Sequence, residues 1–199
     1  PGDISSAIYF IGAGLLVENS HIKIKNVGLN PGRIGALQVL KRMGAKIEIK
    51  NVKEVNCEPV GEIEVKTSDL KGTQILSEEI SSLIDEIPLL AVLACLAEGQ
   101  TTIKGAKELR VKETDRLRAI ASELNKLGAN IKEFSDGLEI TGSAKFKGAV
   151  VESFGDHRMV MALSVADLVA SGETIVENAE VVDISFPNFF DILDSLAKK

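Results

Sequence analysis

The sequence predicts an α/β (α+β) protein: one domain of three repeated units, with helices packed together and sheets around them. Three observations carry that expectation. A unit of apolar helix, strand and amphipathic helix recurs along the 199 residues. Hydrophobic residues make up 45% of the chain but aromatics only 4%, with no Trp, so Ile, Leu, Val and Ala must build the core, as in a layered α/β protein. Nothing between the copies reads as a Gly/Ser- or Pro-rich linker, and a chain of this length can bury a substantial core as one domain.

The first copy, roughly residues 1–60, runs "GDISSAIYFIGAGLLVENSHIKIKNVGL" and then "GRIGALQVLKRMGAKIEI". Asp3 opens an apolar helix of about three turns, a polar turn follows, His21–Asn26 alternates as a strand, and a second, amphipathic helix begins just after Arg33. The second copy, roughly 61–140, repeats this with Asp85, the apolar run "IPLLAVLACLA", a strand over Thr101–Lys104 and the helix of "ETDRLRAIASELNKLG". In that helix Leu117, Ile120, Ala121, Leu124 and Leu127 fall at i, i+3, i+4, i+7 spacing, and Gly128 sits where a C-terminal cap belongs. The third copy, roughly 141–199, starts its helix at Asp156, places a strand over Thr174–Glu177 and ends in the helix of "SFPNFFDILDSLAKK". "GAKIEI" and "GANIKEF" close the first two copies with a Gly stop and another strand, and "PVGEIEVKTSDL" and "DGLEITGSAKFKGAVVES" add alternating strands between copies. The repeat is too long for the usual solenoid periods, which leaves three similar βα-type units around a shared core.

Charge argues against nucleic-acid or anionic-membrane binding: the net value is −6 and the sequence pI about 5.1. The longest apolar run, residues 87–97, is too short to span a bilayer, and no signal peptide is visible. Cys57 and Cys95 form no framework and no metal-ligand spacing with His21 or His157. Buried free thiols in a reducing cytoplasm are therefore expected. The chain opens at Pro1 without an initiator Met, as a fragment or a processed product would.

Against that acidic background one basic cluster stands out. Arg110, Lys112, Arg116 and Arg118 crowd the start of the second helix of copy two. Cations there oppose the helix dipole at a cost of roughly 0.3–1 kcal/mol each. Arg33 and Arg158 also lie at helix starts, Arg158 beside His157. Helices running side by side would bring these N-termini to one end, where N–H groups and guanidinium forks suit a phosphate or carboxylate. Asp85 and Glu113 are the candidates for moving protons. Each also has a plain structural reading: Asp85 as an N-cap like Asp3 and Asp156, Glu113 as a first-turn acid paired at i, i+3 with Arg116. His157 reads equally as surface residue, cap or proton carrier. No phosphate-binding Gly-rich loop, nucleophile elbow or H-E-x-x-H occurs, so metal-free and cofactor-free chemistry is expected.

"PGDISSA" (1–7), "ELRVKETDRL" (108–117), "GDHRMVMAL" (155–163) and "SFPNFF" (185–190) resemble, in order and across the whole chain, the C-terminal part of the 3-phosphoshikimate 1-carboxyvinyltransferase (EPSP synthase) family. The resemblance implies a two-domain enzyme, each domain made of three βαβαββ units, with this chain as the single C-terminal domain. It implies transfer of the enolpyruvyl group of phosphoenolpyruvate to the 5-hydroxyl of shikimate 3-phosphate through a tetrahedral intermediate, with release of phosphate, on the route to aromatic amino acids. Carried over by position, Asp85 resembles the aspartate that takes the hydroxyl proton and holds the shikimate ring. Lys112 resembles a lysine on shikimate 3-phosphate, and Glu113 the acid that protonates the phosphoenolpyruvate methylene. Arg116 and Arg158, with His157 beside them, resemble the phosphoenolpyruvate clamp, so the crowded cations await a doubly anionic substrate.

Two positions depart from the common pattern. Ile184 stands where many members carry a Lys, and Glu108 where some carry an Asn. "DEIPLLA" and "ELRVKE" resemble one subgroup, and leave the count of ligand contacts and the response to the inhibitor glyphosate open. The family's N-terminal domain is the expected partner, and without it this chain is expected to fold yet turn nothing over. The related UDP-N-acetylglucosamine enolpyruvyl transferase is the rival enzyme, though it lacks "RVKETDR" and no counterpart of its reactive cysteine loop occurs here. A non-catalytic anion-binding module is the rival of another class.

Overall fold

In the computed structural model, which describes residues 1–197, the first group of elements is α1 (Ile4–Leu16), β1 (His21–Gly28), α2 (Gly35–Arg42) and a hairpin of β2 (Lys46–Val55) and β3 (Glu58–Lys66). The second is β4 (Gln74–Ile75), α3 (Ile87–Leu96), β5 (Gln100–Ile103), α4 (Arg116–Lys126) and a hairpin of β6 (Asn130–Phe134) and β7 (Gly137–Thr141). The third is β8 (Val150–Glu152), α5 (His157–Asp167), β9 (Ile175–Glu177) and α6 (Phe189–Ala197). Only the second group spells βαβαββ in full. The expected boundary between residues 60 and 61 falls inside β3.

Pairing makes the kinship of the three groups explicit. β4 runs parallel to β5 and β8 parallel to β9, each joined across a helix. In the first group the same parallel contact shrinks to a single bridge between Gly2 and Val27. The hairpins then add antiparallel strands, giving sheet orders β1-β3-β2 and β4-β5-β7-β6, while β8 and β9 form a two-stranded sheet. Gly72 and Gly148, each in a Lys-Gly pair, show why a residue type recurs. A Cβ at either would lie 2.2 Å from the Gln100 carbonyl oxygen or 2.1 Å from that of Glu173, well inside contact distance.

The core lies between the sheets. α1, α3 and α5 touch one another and are buried almost all round, which is why they lack a polar stripe. α3 is the clearest case: every residue from Ile87 to Cys95 is buried, Pro88 starts the helix without wasting an N–H, and Gly99 at φ +92° follows its end. A Cβ at Gly12 of α1 would meet Leu89 of α3 at 2.8 Å, so this glycine sets the close approach of the two helices. α2 and α4 bury one face each, as their alternation predicts. The "SFPNFF" segment docks α6 through edge-on aromatic contacts of Phe186 with Phe10 and of Phe189 with Tyr9, and a tilted one of Phe189 with Phe10. No helix among the described residues is long and apolar enough to cross a membrane.

Two expectations fail. Cys95 is buried, but Cys57 is exposed. It occupies the β2–β3 turn with Asn56, both at positive φ (51° and 62°), the backbone that a two-residue hairpin turn demands. Asp85 is not an N-cap either. It sits in a 3-10 turn, Ile84–Glu86, one residue before the α3 cap position, which Glu86 fills. Its carboxylate is therefore free to point elsewhere. Of the three matched aspartates, only Asp156 caps with its side chain, accepting from the Arg158 N–H at 2.8 Å. Asp3 stands at the cap of α1 but spends its carboxylate on Arg33, 3.1 Å away.

Candidate active site

The N-termini of α1, α3, α4 and α5 converge, and side chains from their first turns interlock. Arg116, the first residue of α4, is the hub. Its Nε donates to Asp156 Oδ2 at 2.7 Å and its Nη2 to Asp156 Oδ1 at 3.3 Å, a two-pronged contact with the α5 cap. Nη1 donates to Asp85 Oδ1 at 3.1 Å and Nη2 also to Glu113 Oε2 at 2.6 Å. Arg158, in the first turn of α5, donates from Nη2 to Asp85 Oδ2 at 3.4 Å and from Nη1 to the Ser5 carbonyl at 3.2 Å. Asp85 thus bridges two guanidinium groups. Lys112 adds a third cation, 3.2 Å from Glu108.

This arrangement brings Asp85, Glu113, Arg116 and Arg158 together, as their shared place at helix starts led one to expect. It also corrects the expectation that the cations stand uncompensated. Arg116 is 1% exposed and already faces carboxylates of Asp156, Asp85 and Glu113. A cation buried this deeply at a helix N-terminus survives only because those carboxylates surround it. Arg110 and Arg118 do not join the cluster. Arg110 ties Asp115 to Glu133 and to the carbonyls of Phe134 and Ser135. Arg118 lines a surface recess with Thr114, Ser122 and Phe154. Arg33 reaches Ser5 Oγ at 2.9 Å as well as Asp3. Ile184, 78% exposed, ends the 3-10 segment Ala179–Ile184.

The electrostatics assign different tempers to neighbouring groups. Burial pushes the Asp85 carboxyl up, but Arg158, Arg116 and then Lys112 outweigh it and hold the group below its usual range. Asp85 is an ionised acceptor over the whole neutral range. Glu86, next in sequence, moves the other way: burial dominates and raises it. Burial and the Arg158 charge depress His157, so its imidazole is neutral at pH 7. Glu113 is half exposed, with its carboxylate at the surface of the cluster. The site therefore offers a fixed carboxylate base, an accessible second carboxyl and cations for an anionic ligand. Sequence reasoning missed Ser5, Tyr9 and Glu86. Asp156 was flagged only as a helix opener, by its match with Asp3 and Asp85.

Comparison with known proteins identifies the family. The family model described as EPSP synthase (3-phosphoshikimate 1-carboxyvinyltransferase) matches residues 1–193. The 3-phosphoshikimate 1-carboxyvinyltransferase of Petrotoga mobilis is 53% identical over 197 residues, covering 98% of this chain and 46% of the relative. That of Thermodesulfovibrio yellowstonii is 52% identical over 199 residues, covering 100% and 46%. The chain thus spans about half the length of the curated relatives it matches. Among solved structures, EPSP synthase from Acinetobacter baumannii superposes with a TM-score of 0.95 at 37% identity, covering 98% of this chain and 46% of that one. The enolpyruvyl transferase NikO from Streptomyces tendae shares the fold at a TM-score of 0.76 and 20% identity, over 98% and 43%. On the extent of these matches, the chain belongs to the EPSP synthase family.

Proposed function

We propose that this chain is the C-terminal half of an enzyme that transfers the enolpyruvyl group of phosphoenolpyruvate to the 5-hydroxyl of shikimate 3-phosphate and releases phosphate. The single observation that carries the reading is the Asp85 carboxylate held between Arg116 and Arg158, with Glu113 on the same Arg116 guanidinium. Asp85, ionised at neutral pH, accepts the proton of the attacking hydroxyl as its oxygen bonds to C2 of phosphoenolpyruvate. Glu113 delivers a proton to the methylene carbon, which completes the tetrahedral adduct. Glu113, now ionised, takes back a methyl proton as phosphate departs with the proton held by Asp85, which restores the enol double bond and returns both carboxyls to their starting states. Arg158 and Arg116 hold phosphoenolpyruvate, His157 lies beside them, and Lys112 meets shikimate 3-phosphate.

No step draws on a cofactor. The complementary substrate contacts come from the family's N-terminal domain, which is the partner of this chain, and the assembled enzyme works in the cytoplasm. Phosphate release measured on the complete enzyme with both substrates tests the reading. Release that requires both substrates is the expected result, and release with neither or either alone would sink it.

A further inference from the structure

Behind Arg158 lies a second set of buried polar groups that the chemistry above leaves unused. Ser5, in the first turn of α1, is 2% exposed and Glu86, at the cap position of α3, 3%. The Ser5 hydroxyl donates to Glu86 Oε1, and Ser5 Oγ in turn accepts from Arg33 Nη2 at 2.9 Å. The Ser5 carbonyl in turn accepts from Arg158 Nη1 at 3.2 Å. One turn along α1, the buried Tyr9 hydroxyl faces the Arg158 guanidinium. Arg158 Nη2 also reaches Asp85 Oδ2 at 3.4 Å.

A carboxyl at this depth is costly to keep unless its partners answer it. Glu86 has one hydrogen-bonded partner, Ser5, and that partner touches two arginines. We propose, on the reading that Arg158 binds phosphoenolpyruvate, that Ser5 and Glu86 are positioning residues for Arg158. Glu86 fixes the Ser5 hydroxyl from the core, Arg33 locks it from the solvent side, and the Ser5 carbonyl so placed holds one Arg158 nitrogen while Asp85 holds the other. Burial raises the Glu86 carboxyl, against the pull of the Ser5 hydroxyl and Arg158. The network joins the start of α1, the loop before α2, the start of α3 and the first turn of α5. It gives the buried serine and glutamate between two largely apolar helices a shared role.

The test uses Glu86→Ala, Glu86→Gln and Ser5→Ala in the complete enzyme. Glu86→Ala and Ser5→Ala raise KM for phosphoenolpyruvate about tenfold, as expected for a ligand group displaced by a fraction of an ångström, and leave kcat within about twofold. Glu86→Gln, whose amide oxygen still accepts from Ser5, stays near wild-type KM. A merely structural role would lower thermal stability in all three with KM unmoved, and that result overturns the proposal. A Gln variant as impaired in KM as the Ala variant overturns it too. Guanidinium NMR on the 199-residue chain gives a readout independent of turnover. Arg158 signals that shift in Ser5→Ala and Glu86→Ala support the positioning role, and signals unchanged in both overturn it. If the wild-type enzyme releases no phosphate, the proposed reaction fails, while the NMR comparison still decides whether Arg158 is positioned in this way.

Discussion

Asp156→Ala is the perturbation whose size the structure sets most clearly. Asp156 is 0% exposed and meets Arg116, itself 1% exposed, through two hydrogen bonds of 2.7 and 3.3 Å, while also capping α5. Removing it strands a buried guanidinium, an event that costs about 3–5 kcal/mol, and deletes an N-cap worth about 1 kcal/mol. Arg116 keeps Asp85 and Glu113, both partly exposed, which offsets about as much as the cap was worth and leaves a loss of about 3–5 kcal/mol in all. Against a total stability of about 5–15 kcal/mol that is a large share. For a domain of this size it lowers the melting temperature by about 6–20 °C. Asp156→Asn keeps an acceptor for the Arg158 N–H and loses about 1–3 kcal/mol. Urea unfolding of the 199-residue chain, followed by circular dichroism, measures both. A loss below about 1 kcal/mol in the Ala variant, the value of a cap alone, would refute the idea that Asp156 neutralises Arg116 in the core.

Other outcomes follow from the same geometry. In the complete enzyme Asp85→Ala and Glu113→Ala each lower turnover by about 10²–10⁴, the worth of a positioned base or acid; wild-type turnover in a variant would reduce that residue to an ion-pair partner. Arg116→Ala weakens phosphoenolpyruvate binding and also destabilises the fold by about 3–5 kcal/mol, because it leaves Asp156 buried without its cation; unchanged unfolding in urea would show that the cluster is not structural. His157 titrates below its ordinary value of 6.5 in the folded chain. Its contribution to stability is therefore fully present above about pH 6.5 and is lost as the pH falls through the lower folded value. Wild-type protein accordingly loses more stability than His157→Gln between about pH 7 and pH 5, and parallel stability curves would contradict the shift.

Much of the architecture was legible because it rests on local rules. Apolar helices, alternating strands and Gly stops recur, so the repeat could be read without any knowledge of contacts. The gathering of Arg116 and Arg158 was legible for the same reason, since each stands in the first turn of a helix, with Glu113 and Asp85 just ahead of such a start. What hid from view depends on partners far apart along the chain. Arg116 is neutralised by residues 31 and 40 positions away, and Ser5 meets Glu86 across 81. No periodicity encodes such pairs. The matched aspartates misled at Asp85, because an inserted 3-10 turn shifts the start of α3 by one residue beyond it. Cys57 misled because composition says that cysteines are buried, whereas its own hairpin turn places it in solvent.

The central claim is that this chain carries the proton-transfer and anion-holding part of a site completed by another domain. Phosphate release from phosphoenolpyruvate and shikimate 3-phosphate, measured with this chain alone, with a separately made N-terminal domain alone and with the two mixed, tests it most directly. Positioning two substrates together can supply about 7–11 kcal/mol of the barrier reduction, and on the proposed reading part of that positioning comes from the N-terminal domain. The account predicts no measurable release from either part and activity restored on mixing, abolished by Asp85→Ala. Robust release by this chain alone would contradict it.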